Sequence, residues 1–597
     1  MRSHSVGKQR KHLRKTAPVK PKQNNDLCNI IHELDNPTVE AAMLRSDAAC
    51  FAIAMDKEIN KLKRLLKKAK VKNRNFDSPT LTEAKKRGDW LLWSQAIQEE
   101  FQQMLSDSVH GPAILGKLPP DANLIGTMWV LKIKRNPSTG EIEKYKARLV
   151  ALGNQQKESS FDQIKSITAR GSTVKMIIAI QAKTGAHSMV LDVKGAYLKS
   201  CIQEGSGENL YIRYPNGTIH KLNKYLYGLK QAGFEWQKNV TSCLLGKGYV
   251  QSTADPMVFT KHEGEEFCIM CLHVDDFYVI SSKESWLQEL HAHLTEAYGT
   301  VSIKSDNVMS YLGMEVKIDI NGDIILSQPA YIKAITELYN ISGKTVKTPM
   351  CVNRVFLPGD EVRVDQNHYL TLVGALSHIS QYTRPDILFA VSSAAQQCSK
   401  PTFGDLRAVN RIFQYLTCTL GLGIRYSSSG SMELVGSVDA SHNQYTDGRG
   451  HYGYSFSLGR GNGSFDAKSS KMKLNTLSST ESEYVAFCEA TREVIWLRRL
   501  LSDMGFPQVG PTIIYEDNTS TIQMLKGAYN HKASKHVNPR YHFSKSAIID
   551  GEVGVEHLVT TEMESDMFTK PLPTQSHWRF TKKVLNGSGD IYKKMII

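Results

Sequence analysis

Regular alternation of apolar and polar positions is absent from residues 1–24, which are rich in Lys, Arg and Pro and read as a tail. The first helical spacing lies in 42–72, AMLRSDAACFAIAMDKEINKLKRLLKKAKVK, whose C-terminal half is basic. A linker around Asp77-Ser78-Pro79 separates it from WLLWSQAIQEEFQQM (90–104), where the spacing predicts an amphipathic helix. TMWVLKIKR and YKARLVALG flank Asn136-Pro137-Ser138-Thr139-Gly140 and predict a hairpin. A mixed α/β region follows to about residue 300. Residues 311–350 predict a strand pair turned at Asn321-Gly322 and then a helix, and 368–420 predicts mainly helix. The stretch Ser427-Ser428-Ser429-Gly430-Ser431 is the best internal boundary. Beyond it, MELVGSVDAS and TIIYEDN predict strands ending at Asp439 and Asp517. Between them, Ser478 to Met504 predicts a helix with Ala486, Ala490, Val494, Leu497 and Leu501 spaced 4, 4, 3 and 4 apart. No fixed-period repeat is visible, which argues against solenoids and propellers.

The 597 residues are enough for about four domains at ~150 residues each. Hydrophobic residues at 41% and charged residues at 22% fit a globular chain and exclude collagen, coiled coil and wholesale disorder. The fold class expected is α+β and multidomain. The net charge of +15 is unevenly placed. Residues 1–24 carry eight Lys or Arg and no acid, and so do residues 61–74, so these two segments hold the whole excess. They point to an anionic partner met through a basic arm, or to a solvated tail. Ten cysteines form no repeated pairs and read as reduced thiols in an intracellular protein. Neither an export signal nor a membrane span is expected, because no run of about 18 apolar residues occurs.

The chemical candidates are acids at strand ends. Asp275-Asp276 sits inside FCIMCLHVDDFYVISS, which predicts strand, tight turn and strand with both carboxylates at the tip. Alone, such a pair reads better as an ordinary Asp turn. Asp192 ends another apolar strand in HSMVLDVKGAYLKS. Three carboxylates brought together repel unless a cation is present, and hard oxygens suit Mg²⁺ or Mn²⁺. Two such ions about 4 Å apart are the apparatus of nucleotidyl transfer. In the C-terminal part, Glu483 lies three residues before Ala486 on the buried face of its helix. The alternative is that Thr480-Glu481-Ser482-Glu483 is a capping box in which Glu483 bonds the helix start.

The ordered series MWVLKIKR (128–135), EKYKARLVALGNQ (143–155), LDVKGAYL (191–198), KYLYGLKQAGFEW (224–236), LHVDDFYVI (272–280), YLGMEV (311–316), LSQPAYI (326–332) and TRPDILFAV (383–391) resembles the reverse transcriptases of copia-type LTR retrotransposons. SSTESEYVA, YEDNTSTI, KHVNPRYHF and SDMFTKPL resemble the ribonuclease H that follows the polymerase in that family. The resemblance spans most of 88–597. The charge pattern gives a basic, partly disordered N-terminal arm over 1–75, and the resemblance implies fingers and palm of a right-hand polymerase over 76–300, thumb and connection over 301–428, and an RNase H-like α/β domain over 429–597. The resemblance also implies polymerase metal ligands Asp192, Asp275 and Asp276, and nuclease metal ligands Asp439, Glu483, Asp517 and Asp566, with two Mg²⁺ or Mn²⁺ at each site. Arg148 would contact the triphosphate, Tyr197 would lie beneath the sugar and disfavour a 2′-OH, and Gly228, Lys230 and Gln231 would help place template and nucleotide. His536 and His542 would contact substrate or assist proton transfer, or else simply pack. The partners implied are an RNA template, a DNA primer or RNA–DNA hybrid, dNTPs and a primer RNA, with no membrane, in a cytoplasmic particle or the nucleus.

Some positions depart from that pattern. His273 stands before Val274-Asp275-Asp276 where Tyr is usual, Ser441-His442 stands where Asp-Trp is usual, and QKESSFDQIKSITAR (156–170) and KSSKMKLNTLSS (468–479) fit poorly. The rival readings are a degenerate or domesticated nucleic-acid-binding protein and an enzyme with one working site. Protease, zinc-knuckle and integrase motifs are not found, which reads as the C-terminal part of a polyprotein or a separate reading frame derived from one. Cys268 and Cys271 offer half a zinc site by spacing, but an offset of three puts their sulfurs on opposite faces of a strand, and Trp90 and Trp93 read as packing residues.

Overall fold

The computed structural model describes residues 77–135, 142–157, 164–203, 209–341, 345–353, 356–527 and 543–596. The expected basic tail, the 42–72 helix, His536 and His542 lie outside them.

Among the described residues the chain is mixed α/β and forms four sheets. The helix Trp90–Ser106 covers the first sheet, with Trp93 fully buried and its ring 4.7 Å from that of Tyr145. In that sheet the strands Asn123–Arg135 and Ile142–Ala151 form the expected hairpin, with Lys132 opposite Lys146. Leu210–Arg213 joins Asn123–Arg135 in parallel, and Ile219–Leu222 and His110–Ala113 follow. Gly228 anchors the neighbouring loop at φ +91, where a Cβ would stand 2.2 Å from the Ala151 carbonyl oxygen, so only glycine fits.

The second sheet runs Val301–Lys304, His187–Val193, Asp276–Ser281, Glu266–His273, Val258–Glu263 and Val250–Gln251. Its two central strands are nearly continuous apolar runs, and burial explains why: helix Gly171–Thr184 packs on them and buries every residue from Thr173 to Ala182. That helix also meets strands of the third and fourth sheets, which makes it the hub of the core. Cys268 and Cys271 are buried within this sheet and meet the hydroxyls of Tyr249 and Tyr311, respectively, so each sulfur has a different neighbour.

The third sheet contains the expected pair, Met314–Ile318 and Ile324–Ser327, turned through Gly322. It is extended by Val308–Tyr311 and by the distant strand Ile424–Tyr426. Helices Pro329–Leu338, Gln366–Tyr382, Leu388–Ala395 and Phe403–Cys418 complete this region. Inside it, the fully buried Arg384 and Asp386 form an ion pair at 2.7 Å, which Tyr415 joins by donating to Asp386 at 2.8 Å.

The fourth sheet is ordered Asp466–Asn475, Arg449–Leu458, Leu434–Ser441, Thr512–Glu516 and Val553–His557. The first two junctions are antiparallel and the last two parallel. Helix Ser479–Asp503 lies on it, with Ala486, Ala490, Val494, Leu497 and Leu501 all buried as their spacing requires.

Two expected boundaries prove to be joined rather than loose. Val301–Lys304, just past residue 300, hydrogen-bonds back onto His187–Val193. The serine-rich stretch is stapled to the Asn321-Gly322 turn: Ser428 donates to Asp323 through its N–H at 2.8 Å and its hydroxyl at 2.9 Å, and Arg425 Nε reaches the same carboxylate at 2.7 Å. Among the described residues no helix is long and apolar enough to cross a membrane.

Candidate functional site

Asp192, Asp275 and Asp276 meet at one end of the second sheet. Asp276 is the Cα partner of both Asp192 and His273, so the turn Val274-Asp275 sits directly beside Asp192. Val274 adopts φ +65, an outlier for a β-branched residue, and two hydrogen bonds hold the turn there. The Trp236 indole donates to the Val274 carbonyl at 2.6 Å, and the Val193 N–H donates to the Asp275 carbonyl at 3.0 Å. Burial, opposed in part by Arg148 and Lys146, raises the Asp275 carboxyl above its usual range, with Asp192 adding repulsion. Asp276 is pushed up to about 6, chiefly by burial and then by Asp275 and Asp192. His273 is half-buried with Nδ1 sealed from partners, and burial lowers its pKa, which favours a neutral ring beside the acids.

The hairpin leans over this turn. The Arg148 guanidinium stacks 4.8 Å from the centre of the Tyr227 ring, and Tyr227 lies 5.3 Å from Tyr197. Tyr197 is partly buried, and its hydroxyl is held protonated mainly by burial and then by the nearby Asp275 charge. A line therefore runs from cation to ring to ring to carboxylate. Tyr227 belongs to it, and the Lys146 charge acts on the same acids; both stand in the quoted motifs KYLYGLKQAGFEW and EKYKARLVALGNQ, where the resemblance gives neither a role. Gln231 is 2% exposed and accepts from the Gln156 amide at 2.6 Å, while the Lys230 N–H donates to Gln156 at 3.1 Å; both brace the chain behind the hairpin.

The second set gathers at the end of the fourth sheet. Asp439 is 3% exposed on Leu434–Ser441, Asp517 follows Thr512–Glu516, and Asp566 lies in the short helical turn Glu564–Phe568. Glu483 is 5% exposed on the helix above them. The capping alternative for Glu483 fails because Ser478 is the N-cap. Its side chain accepts from the Glu481 N–H at 3.1 Å, and Glu481 in turn accepts from Leu477 N–H at 2.6 Å. Oxygens of Asp439, Asp517 and Asp566 all lie within 4.8 Å of one another, as do those of Glu483, Glu516 and Asp517. Among the described residues these are the two sets of three that close so tightly; the three acids of the second sheet stay more open.

Glu516 is a further member: it stands in YEDNTSTI beside Asp517, but the resemblance gives it no role. Alternation along Thr512–Glu516 puts it on the same inward face as Thr512 and Ile514, and this was the available signal. Burial raises the carboxyls of Asp439, Glu483 and Glu516, with Asp566 adding to Asp439 and Glu516 adding to Glu483. The other newcomers are Lys570, whose Nζ is 2.8 Å from Asp566 and 3.9 Å from Asp439, and Thr569, whose hydroxyl donates to Asp439. Thr560 donates to Asp517 at 2.7 Å. His442, at a departing position, is within hydrogen-bond distance of Thr476 and Ser482.

Residues 113–352 match the family described as Reverse transcriptase (RNA-dependent DNA polymerase). The Retrovirus-related Pol polyprotein from transposon TNT 1-94 of Nicotiana tabacum is 30% identical over 502 residues, which are 80% of this chain and 36% of the relative. The corresponding protein from transposon RE1 of Arabidopsis thaliana is 29% identical over 82% of this chain and 34% of its own length. The chain is similar to these transposon Pol polyproteins in their reverse transcriptase region. The truncated transposon Ty1-A Gag-Pol polyprotein of Saccharomyces cerevisiae is 25% identical over 77% of this chain and 39% of the relative. The chain thus spans about a third of the length of the curated relatives it matches. Among solved structures, a foamy viral protease-reverse transcriptase in complex with double-stranded DNA has a TM-score of 0.48 at 13% identity, covering 78% of this chain and 69% of that one.

Proposed function

We propose that the chain is an RNA-directed DNA polymerase joined to a ribonuclease H, copying a retrotransposon RNA into DNA and degrading the copied RNA. In this reading the first sheet and its hairpin are the fingers, the second sheet is the palm, the region around the third sheet is thumb and connection, and the fourth sheet with its helix is the ribonuclease H-like domain. The observation that carries it is the pairing of Asp192 with Asp276 beside the strained Val274-Asp275 turn, beneath a hairpin that presents Arg148.

The donor sets suit Mg²⁺ or Mn²⁺, being hard carboxylate oxygens, and in the C-terminal centre one oxygen of Glu483 and one of Glu516 are sealed without a hydrogen-bond partner. Two such ions at each site would supply Lewis-acid stabilisation of the negative charge that develops at phosphorus. Arg148, fixed against Tyr227, would grip the incoming triphosphate with a forked donor that matches phosphate oxygens. Tyr197 would form the floor under the sugar and exclude a 2′-OH, favouring dNTPs. In the second centre, Thr569 and Lys570 hold Asp439 and Asp566, and Thr560 holds Asp517, so that the carboxylates face an RNA–DNA hybrid in fixed positions.

The test is primer extension on an RNA template with dNTPs, run beside cleavage of an RNA–DNA hybrid, each with and without Mg²⁺. Metal-dependent activity in both assays is expected. Hybrid binding without either activity would favour the non-enzymatic alternative.

A further inference from the structure

The C-terminal centre contains one carboxylate beyond the four that the family resemblance supplies. Glu516 has no exposed surface. Its Oε1 accepts from the Asn518 N–H at 3.0 Å, and its Oε2 has no hydrogen-bond partner. Glu483, also buried, has the same deficit at its own Oε2. No Lys or Arg among the described residues forms an ion pair with either glutamate; Lys570 pairs with Asp439 and Asp566 instead. Two sealed carboxylates that each leave an oxygen unpaired, with a third carboxylate close by, lack the compensation that burial normally demands.

Backbone geometry explains how adjacent residues serve one centre. In a continuing strand Glu516 and Asp517 would point to opposite faces. The strand ends at Glu516, and Asn518 caps the next helix, Thr519–Leu525, by accepting from the Thr521 N–H at 3.0 Å. The turn made by this cap lets Asp517 offer an oxygen within 4.8 Å of those of Glu483 and Glu516, and also of those of Asp439 and Asp566.

We propose that Glu516 is a fifth carboxylate ligand of this centre, holding one divalent cation together with Glu483 and the shared Asp517, while Asp439, Asp517 and Asp566 hold the other. The inference rests on the nuclease reading for the purpose of the centre, but ion binding can be measured apart from cleavage. A buried glutamate whose role is only to accept from Asn518 would serve equally well as glutamine, which keeps the carbonyl acceptor and loses the charge. Ion binding distinguishes the two roles.

The experiment is Mn²⁺ titration of the full chain without nucleic acid, read by the paramagnetic resonance of free Mn²⁺ and by the melting temperature in chelator and in Mn²⁺. For Glu516→Gln the expected result is a melting temperature in chelator at or above that of the parent, because repulsion is relieved. It should also bind one Mn²⁺ fewer, or bind it at least about tenfold more weakly. Glu516→Asp, which keeps the charge but shortens the reach, should fold and show a weaker version of the same loss, and it carries the test if the glutamine variant fails to fold. Unchanged Mn²⁺ number and affinity in the folded variants, or no Mn²⁺ binding by the parent, would overturn the inference. If Glu516-dependent Mn²⁺ binding is present but hybrid is never cleaved, the ligand assignment stands and the nuclease reading falls. If hybrid is cleaved but Mn²⁺ binding is indifferent to Glu516, the ligand assignment falls and the nuclease reading stands.

Discussion

Trp236 donates its indole N–H to the Val274 carbonyl at 2.6 Å, and that bond clamps the one left-handed non-glycine residue in the turn that carries Asp275. Trp236 is itself buried, with its ring 5.0 Å from that of Tyr298, so the clamp is anchored in the packed interior beneath the second sheet. Left-handed backbone at a β-branched residue costs on the order of 1–3 kcal/mol and persists only where the surroundings impose it.

Trp236→Phe should therefore loosen the turn while leaving the second centre untouched. Displacement of a reacting group by about 1 Å can cost about a hundredfold in rate. We expect primer extension to fall by about tenfold to a hundredfold with hybrid cleavage unchanged. Equal losses in both assays would indicate general unfolding instead of a local clamp.

The two halves of the chain are bolted together through helix Ser479–Asp503. One oxygen of Asp503 accepts from Ser252 Oγ at 2.7 Å, Thr253 N–H at 2.8 Å, Thr253 Oγ1 at 3.1 Å and Ala254 N–H at 3.1 Å. Seven residues earlier, Trp496 donates to the Ala254 carbonyl at 2.9 Å and carries Arg170 stacked at 4.0 Å on its ring. Asp503→Ala leaves several of these donors unpaired and should cost about 2–3 kcal/mol. Denaturant titration should show one shared transition in the parent and a lower midpoint in the variant. An unshifted midpoint would mean that the junction contributes nothing to stability.

His577 gives the stability a pH dependence. It is buried with Nε2 3.1 Å from the Tyr415 hydroxyl, and burial lowers its pKa to about 4. The unfolded chain, with an ordinary histidine near 6.5, therefore binds a proton that the folded chain refuses between these values. Stability should be unaffected by this group above about pH 6.5 and should fall as pH drops toward 4, by about 3 kcal/mol in all. His577→Gln should flatten that part of the stability curve measured by denaturant melts from pH 4 to 7. An identical slope in parent and variant would remove His577 as the cause.

What could be read along the chain was local. Helix Ser479–Asp503 was legible to within a residue because its apolar spacing and the serines before it act within a few turns. The hairpin, the acid-tipped turn and the pair around Gly322 were legible for the same reason. Val301–Lys304 and Ile424–Tyr426 were not, because short strands owe their place to partners more than 90 residues away in sequence. Glu516 escaped because a Glu-Asp pair at a strand end looks like a single polar turn until the helix above supplies Glu483. The capping reading of Glu483 was a competition between two nearby Ser/Thr-x-x-Glu patterns. Ser478 with Glu481 took the helix start, leaving Glu483 two residues further on, facing the sheet.

The central claim is that one chain carries two separate carboxylate centres with two chemistries. Purified Asp275→Asn and Glu483→Gln variants, each assayed for primer extension on RNA and for hybrid cleavage, test it most directly. Asp275→Asn is expected to lose extension and keep cleavage, and Glu483→Gln to keep extension and lose cleavage. Retention of both activities by either variant would contradict it.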